Sequence, residues 1–473
     1  MTVTSLNFAA FVLVLLAAYY LVPHRAQNPL LLVASYVFCA LLGWEFLGVL
    51  LLVTLAAFVS AYGVVAGRRA RRVWLALGIT VQLGALAFFK YSDYFLPQAF
   101  KLLHLLHIPT PDAGLALLLP IGLSFYTLQA ISYLVDIYQG KSKPAANPLH
   151  FALYMAYFPR LIAGPIERAG TFMAQLNRPR RVKNASIARG LGLITLGLTR
   201  KILVAEILRP MATTHPFHVP TDYSGPQLIA ALIAYALFVY NDFAGYTSLM
   251  RGVSSLFGIE LSSNFNLPFF SRNFTELWTR WHISLSTWLR DYIYYPLSRA
   301  LLRRDPGGRR LITVLVPPLV TLAASGLWHG ATLNMLAWGA INGVFVAGER
   351  LISLARPASP PDKRPRLQQW LGRAVVVPLV LLALVPFEAT LPQAWAYWRG
   401  LLVWTSTALP DARYLAPVAL GCLVDWAQYL SREELFFIKW PRWLQGLLLA
   451  LALLAVFLIT RAGTQGPFVY QEF

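Results

Sequence analysis

Long apolar runs separated by short polar links dominate the chain. Met1–Pro23, Ala26–Trp44, Phe46–Gly67, Val73–Phe89, Ala113–Val135, Tyr223–Asn241 and Trp443–Thr460 carry no Asp, Glu, Lys or Arg. A helix needs about 20 such residues to cross a hydrocarbon core about 30 Å thick. Shorter or interrupted segments, some re-entering rather than crossing, raise the expectation to about 11–13 helices. The pattern predicts an all-α polytopic membrane protein forming one integral domain over residues 1–473.

Two apolar stretches break this rhythm. Leu119-Pro120-Ile121-Gly122-Leu123-Ser124-Phe125-Tyr126 and Phe158-Pro159-Arg160-Leu161-Ile162-Ala163-Gly164-Pro165-Ile166-Glu167-Arg168 are interrupted by Pro and Gly. A Pro-kinked helix is the plainer explanation. Broken backbone at membrane depth survives only when buried in protein or lining a cavity, so these segments are expected to re-enter and wall a cavity. The linker-like stretch Arg356–Pro365, rich in Pro and charge, reads as a solvated loop between helices.

Composition agrees with a membrane protein: 57% of residues are hydrophobic and 13% charged, against about 25% charged in soluble domains. The net charge of +20 is unevenly placed, with runs of basic residues in short links between apolar stretches. Arg68, Arg69, Arg71 and Arg72 place the link after the third run in the cytoplasm, and counting back puts the N-terminus outside. Basic links at Arg178–Lys183, Arg303–Arg310 and Arg356–Arg366 should face the cytoplasm too. Without a soluble domain to carry it, this charge points to anionic lipid and topology rather than to nucleic acid. It would also draw an anionic small molecule to a cytoplasmic mouth. The first run has no basic residue before it and no small-residue cleavage site, so it reads as a retained span. Cys39 and Cys422, both in apolar context, suggest no disulfide framework.

Against this background His329 stands out. It sits in Ala324-Ser325-Gly326-Leu327-Trp328-His329-Gly330-Ala331, inside a stretch from Leu311 to Gly348 that carries no charge. An ionisable ring at bilayer depth is costly and reads by default as functional. A core histidine bonded to a carbonyl is the plainer alternative. Gly326 and Gly330 argue against it, because glycines let backbone or substrate approach closely. So does a second histidine in Trp278-Thr279-Arg280-Trp281-His282-Ile283-Ser284-Leu285-Ser286. Read as one amphipathic helix from Glu276 to Tyr295, this segment places Thr279, His282 and Ser286 on one face. An interfacial helix would explain its tryptophans but not that polar stripe. No Asp, Glu or Cys cluster accompanies the two histidines, so no metal is expected. His215 and His218 lie in a Pro-rich loop and read as solvated. No G-x-S-x-G element is present near either histidine.

These stretches resemble the bacterial membrane-bound O-acyltransferase (MBOAT) family, of the kind that O-acetylates alginate and related exported polysaccharides. The resemblance rests on Asn28–Ser35, Phe88-Phe89-Lys90-Tyr91, Pro120–Tyr126, Phe158–Arg168, Asp242-Phe243-Ala244-Gly245-Tyr246, Asn264-Phe265-Asn266-Leu267-Pro268, Glu276–Leu297, Ser325–Ala331 and Pro467-Phe468-Val469-Tyr470, in family order over essentially the whole chain. The R-W-H-I-S-L-S and S-G-L-W-H-G-A motifs are its most specific parts. It implies a helical bundle around a central funnel or tunnel, in the bacterial cytoplasmic (inner) membrane. It implies His329 as general base, His282 as a second catalytic or orienting residue, and Trp328, Gly326, Gly330, Thr279, Ser286, Trp281, Asp242 and Tyr246 along the substrate path. The implied donor is acetyl-coenzyme A or another acyl thioester, used as substrate with no bound cofactor. The implied acceptor is an exported polysaccharide, with an extracytoplasmic or membrane-anchored acetyltransferase as partner. Peptidoglycan, cellulose and teichoic acid are acceptors of similar proteins. The chain departs from the family at Ser248, where an acidic residue is common, at Val385-Pro386-Phe387-Glu388, and at Asn342, where a histidine is common.

The chemistry is consistent with that implication. Acyl transfer needs a base near neutral pKa, oxyanion donors and exclusion of water, and an imidazole supplies the first. A transporter or channel would use broken helices and buried histidines equally well. It would also want scattered intramembrane carboxylates, and only Asp136 and Asp242 offer themselves. A non-catalytic scaffold of an envelope assembly is the third reading.

Overall fold

The computed structural model describes residues 2–67, 69–106, 118–181, 184–212, 215–307, 310–355, 365–404 and 412–461. Arg68, residues 113–117 of the fifth apolar run, Lys183, Arg309, residues 356–364 and Pro467–Tyr470 lie outside them. Among the described residues the secondary structure is helical, without strands. Among these residues six helices are long and apolar enough to cross a membrane: His24–Leu42, Trp44–Ala66, Arg71–Lys90, Gly225–Leu256, Leu311–His329 and Arg366–Glu388. The apolar helices Leu6–Leu21 and Arg442–Leu458 are shorter. The protein is a multi-pass membrane protein.

The chain folds as two compact units. The first comprises Leu6–Val182 with Phe257–Ile259, and the second Lys183–Leu256 and Glu260–Phe473 with Thr2–Ser5. In the first unit, Trp44–Ala66 lies against Arg71–Lys90 and the Leu123–Tyr138 helix. Small residues permit it: a Cβ on Gly63 would sit 2.2 Å from the Trp74 ring, and one on Gly78 2.7 Å from Leu134. Without a hydrophobic gain between helices in lipid, such backbone proximity is the main source of cohesion. Gln82, wholly buried, donates its side-chain amide to the Val53 carbonyl at 2.9 Å, which ties the two helices across this apolar seam. Val73, Leu77, Leu83 and Phe88 on the other face remain exposed, which suits lipid.

The fifth run differs from its expectation. Its helix starts only at Leu123, because Gly122 takes a left-handed φ of 82°. The reason is steric, since a Cβ there would lie 1.9 Å from the carbonyl oxygen of Leu161. The two interrupted segments therefore touch. Residues 157–167 are buried, held by a bond from the Phe158 amide to Ser35 Oγ (3.1 Å) and one from Tyr154 Oη to the Glu167 carbonyl (3.0 Å). The second segment is a buried break rather than a kinked helix, and the first is a half-buried turn that leads into the Leu123–Tyr138 helix. Arg160 is wholly buried here, its guanidinium 4.6 Å from the Tyr154 ring and 4.3 Å from Phe172.

The 32-residue helix Gly225–Leu256 forms the axis of the second unit and is buried along most of its length. Gly245 and Gly252 seat it on Asn184–Leu198 and the π-helical turn Thr199–Glu206: a Cβ on Gly252 would meet Gly190 O at 2.7 Å, and one on Gly245 the Lys201 amide at 2.8 Å. The charge-free stretch from Leu311 to Gly348 is a helical hairpin, Leu311–His329 and Leu333–Ala355. Arg366–Glu388 was not among the predicted spans because Arg373, Pro378 and Pro386 interrupt its apolar run.

Orientation is directly testable. With Cys422, the exposed native cysteine, replaced by Ser, a cysteine at Arg69 should react with an impermeant maleimide only from the cytoplasm. One added at the N-terminus should react only from outside. The opposite labelling would overturn this orientation.

Candidate active site

The segment carrying His282 is not one helix. Phe274–Arg280 and Ile283–Leu289 are separated at Trp281–His282, where His282 adopts φ 41° and ψ 55°. The left-handed region costs a non-glycine residue of order 1–3 kcal/mol and persists only where surroundings over-determine it. Here the Asn264–Pro268 loop supplies the constraint. Asn264 accepts from the Ile283 amide with its carbonyl (2.9 Å) and from the Ser284 amide with Oδ1 (3.2 Å). One turn earlier the Asn266 amide donates to the Arg280 carbonyl (3.0 Å), and Arg280 Nη1 donates to the Asn266 carbonyl (3.0 Å). Asn273 caps the first short helix by accepting from the Glu276 amide at 2.7 Å. The expected common face of Thr279, His282 and Ser286 is therefore absent. Thr279 is exposed, and Ser286 Oγ donates to the Trp281 carbonyl at 2.9 Å.

His329 ends its helix, with Gly330 next in extended conformation. The two histidines are 4% and 1% exposed, His329 and His282 respectively, and they share an aromatic box. The Trp328 ring is 6.1 Å from the His282 ring and 4.9 Å from His329. Phe243 closes on His282 at 4.8 Å, while Trp338 and Phe387 close on His329 at 5.3 and 5.2 Å. His282 lies between the spans, and burial pushes its pKa down to about 3, leaving a neutral imidazole at working pH. Trp281 packs on the Phe265 ring at 5.2 Å and on Tyr240 at 6.2 Å, on the flank of the same box.

Beside it opens a cavity of about 830 Å³ with a basic lining: Arg200, Arg272, Arg280, Arg373 and Arg432 against Glu433 and Glu434. Glu276 is shared between Arg272 (Nε, 2.9 Å) and Arg280 (Nη2, 2.8 Å), so one carboxylate answers two guanidiniums. Burial would raise the Glu276 pKa, but hydrogen bonds from Arg272 and Arg280 outweigh it and hold the carboxyl below its ordinary value. Arg373 donates to the Phe270 carbonyl (3.2 Å) and to Tyr429 Oη (3.1 Å), with no carboxylate in ion-pair range among the described residues. Tyr240, Ala244, Thr247 and Ser248 line the cavity from the long helix. These residues recur at helical spacing and mark one face.

Asp242 and Tyr246 belong to another face. Asp242 is wholly buried and ion-paired with Lys201, whose ammonium is also 3.8 Å from Glu206. Arg200, on the same π-helical turn, pairs with Asp425 at 2.5 Å and donates to Asn241 Oδ1 at 2.8 Å. Gly326 is likewise used for packing, since a Cβ there would lie 2.2 Å from the Met335 carbonyl oxygen. Gly330 is looser, with Met335 Cγ nearest at 3.0 Å. The structure thus brings His329, His282, Trp328 and Trp281 together, with Gly330 adjoining. It places Asp242 in an ion pair, Gly326 in a helix contact, Tyr246 buried on the long helix, and Thr279 and Ser286 along a second cavity. Sequence reasoning assigned no role to Phe243, Trp338 and Phe387 of the box, nor to Asn264 or the arginine set. The D-F-A-G-Y and N-F-N-L-P stretches marked two of these places, but only tertiary contact assigns the roles.

The Asn264 clamp makes a prediction. Asn264→Leu removes the Oδ1 acceptor and should lower turnover about tenfold or more by misplacing His282, with donor KM little changed. Asn264→Asp keeps an acceptor and should restore much of the loss. Equal defects in both variants would show that the side-chain bond does not position His282.

Comparison with known proteins bears on this arrangement. The description "MBOAT, membrane-bound O-acyltransferase family" matches residues 142–384. The chain is 35% identical to the probable alginate O-acetylase of Azotobacter vinelandii over 85% of its own length and 78% of that protein. It is 34% identical to the corresponding protein of Pseudomonas aeruginosa, over 88% and 77%. It is 31% identical to the peptidoglycan O-acetyltransferase of Helicobacter pylori, over 74% and 71%. With the matched region containing both His282 and His329, the chain belongs to the membrane-bound O-acyltransferase family and is an O-acyltransferase.

Proposed function

We propose that this chain, acting as one enzyme over residues 1–473, moves an acetyl group from a cytoplasmic thioester to a hydroxyl of an exported polysaccharide, or to a partner acetyltransferase that hands it on, at the bacterial inner membrane. The reading rests on an aromatic box that holds two buried histidines beside an arginine-lined cavity. His329 takes the acceptor hydroxyl proton as the oxygen attacks the thioester carbonyl. The C–S bond breaks, and the departing thiolate recovers the proton from the imidazolium, so ester and thiol form with no net proton change. Burial excludes water that would hydrolyse the thioester. His282 and Trp328 orient the reacting groups. The donor enters from the cytoplasm with its phosphates among Arg272, Arg280 and Arg373, because phosphates cannot enter hydrocarbon cheaply. The aromatic walls and the fixed clamp suit a single reaction geometry better than a transport cycle.

The likeness to alginate O-acetylases favours an acidic exported polysaccharide, and peptidoglycan is the second reading, from the relative of that name. Purified protein in lipid should consume acetyl-coenzyme A in the presence of oligosaccharide acceptor and release free thiol. Arg373→Gln should raise the donor KM about tenfold, the order expected for one charge-assisted phosphate contact, with smaller loss of kcat. No thiol release with either acceptor class would refute the reading.

A further inference from the structure

A second cavity, of about 530 Å³, opens on the other side of the His282 turn, and Ile283 lines both cavities. Its size falls within the about 300–1,000 Å³ typical of small-molecule sites. Its character is unlike that of the first. Ile283, Leu289, Pro318, Leu322 and Val346 make an apolar trough, and Arg290 and Arg350 also line it. Pro318 and Leu322 lie roughly 10–16 Å along the Leu311–His329 helix from its basic end. The trough therefore extends well into the depth of the bilayer, whereas Arg350 belongs to the last turns of Leu333–Ala355.

The two arginines differ in how they are held: Arg350 by a ring and a carbonyl, Arg290 by a ring and a carboxylate. Arg350 lies 5.5 Å from the Tyr294 ring and donates to the Val314 carbonyl at 3.4 Å, with no carboxylate in ion-pair range among the described residues. Arg290 lies 5.7 Å from the Tyr295 ring and pairs with Asp291 at 3.2 Å, where the pair is open to solvent. Both tyrosines line the cavity, and the segment carrying Arg290 and Tyr294 is a π-helical turn, a feature frequent at functional sites. Arg303 and Arg304, exposed, follow soon after. An apolar trough in the membrane with guanidiniums at its polar end fits a molecule with one or two alkyl chains and a phosphate head.

We propose that this trough binds an anionic phospholipid of the cytoplasmic leaflet, its phosphate between Arg290 and Arg350 and an acyl chain along Leu289, Pro318 and Leu322. Arginine suits phosphate because its planar fork gives charge-assisted, two-pronged contacts. The occupant packs against the Ile283 end of the His282 turn and so couples leaflet composition to the geometry of that histidine. The site stands independently of the donor assignment.

Native mass spectrometry of the detergent-purified full chain, titrated with dioleoyl phosphatidylglycerol or dioleoyl phosphatidylcholine, tests it. Phosphatidylglycerol should form a one-to-one complex at least about tenfold tighter than phosphatidylcholine. Arg350→Gln should weaken it at least about fivefold, and Arg290→Gln with Arg350→Gln at least about twentyfold. Arg350→Lys, which keeps the charge, should lose less than Arg350→Gln, and Leu322→Trp should expel the chain although both arginines remain. Equal binding of the two lipids, or unchanged phosphatidylglycerol binding in the double variant, would overturn the proposal. Displacement of phosphatidylglycerol by acetyl-coenzyme A would also overturn it, by assigning the trough to the donor.

Discussion

His329→Ala should lower turnover by about 10²–10⁴-fold or more, the range a positioned general base contributes, without preventing membrane insertion. The box explains why the loss should be chemical rather than structural. His329 is the last residue of its helix, so its backbone bonds do not depend on the ring. Trp328, Trp338 and Phe387 surround the imidazole with apolar faces and offer no other group able to take a proton. His329→Gln provides the control, filling similar space without a titratable nitrogen. Both variants should bind acetyl-coenzyme A with affinity close to that of the unsubstituted protein, because the arginine-lined cavity draws on other residues. The measurement is single-turnover thiol release alongside donor affinity and thermal stability. Full activity in a stably inserted His329→Ala would remove the base from the proposed mechanism.

Much of this arrangement was legible in the sequence, and the reasons divide cleanly. Apolar run length marked the helices because a bilayer demands it, and His329 was conspicuous because charge is scarce around it. Missing from that reading was whatever depends on chain crossing chain. Periodicity continued through His282 as if one helix ran from Glu276 to Tyr295, and nothing local announces a left-handed histidine. The break exists because Asn264, 18 positions before His282, clamps the amides that follow it. Asp242 looked like a site residue because the family resemblance carries its D-F-A-G-Y stretch onto the substrate path. Its partner Lys201 lies 41 positions away on a turn whose π-helical register no sequence period reveals. The arginine cavity was foreseen only as a diffuse basic mouth. Its arginines come from positions 200 to 432, and folding alone assembles them.

Gly330→Leu should abolish transfer while sparing donor binding, and its neighbour Gly326 shows how to read the result. At Gly326 even a methyl group would meet the Met335 carbonyl oxygen at 2.2 Å, so Gly326→Ala must part the two helices of the hairpin. Loss of activity there is expected to accompany loss of stability and carries no message about substrate. Gly330 has φ −164°, extended backbone that any residue adopts, and its nearest neighbour is the movable end of Met335. A leucine at this position can be folded, yet it adds bulk directly beside His329. If donor and acceptor meet at that ring from opposite faces of the membrane, the added side chain obstructs their approach. A displacement of about 1 Å is enough to cost about 100-fold in rate. Thermal stability near that of the unsubstituted protein, donor affinity within about threefold, and turnover down about 100-fold or more would fit a path running past Gly330. Undiminished turnover in Gly330→Leu, or transfer by reconstituted enzyme given donor on the outer face alone, would refute that path.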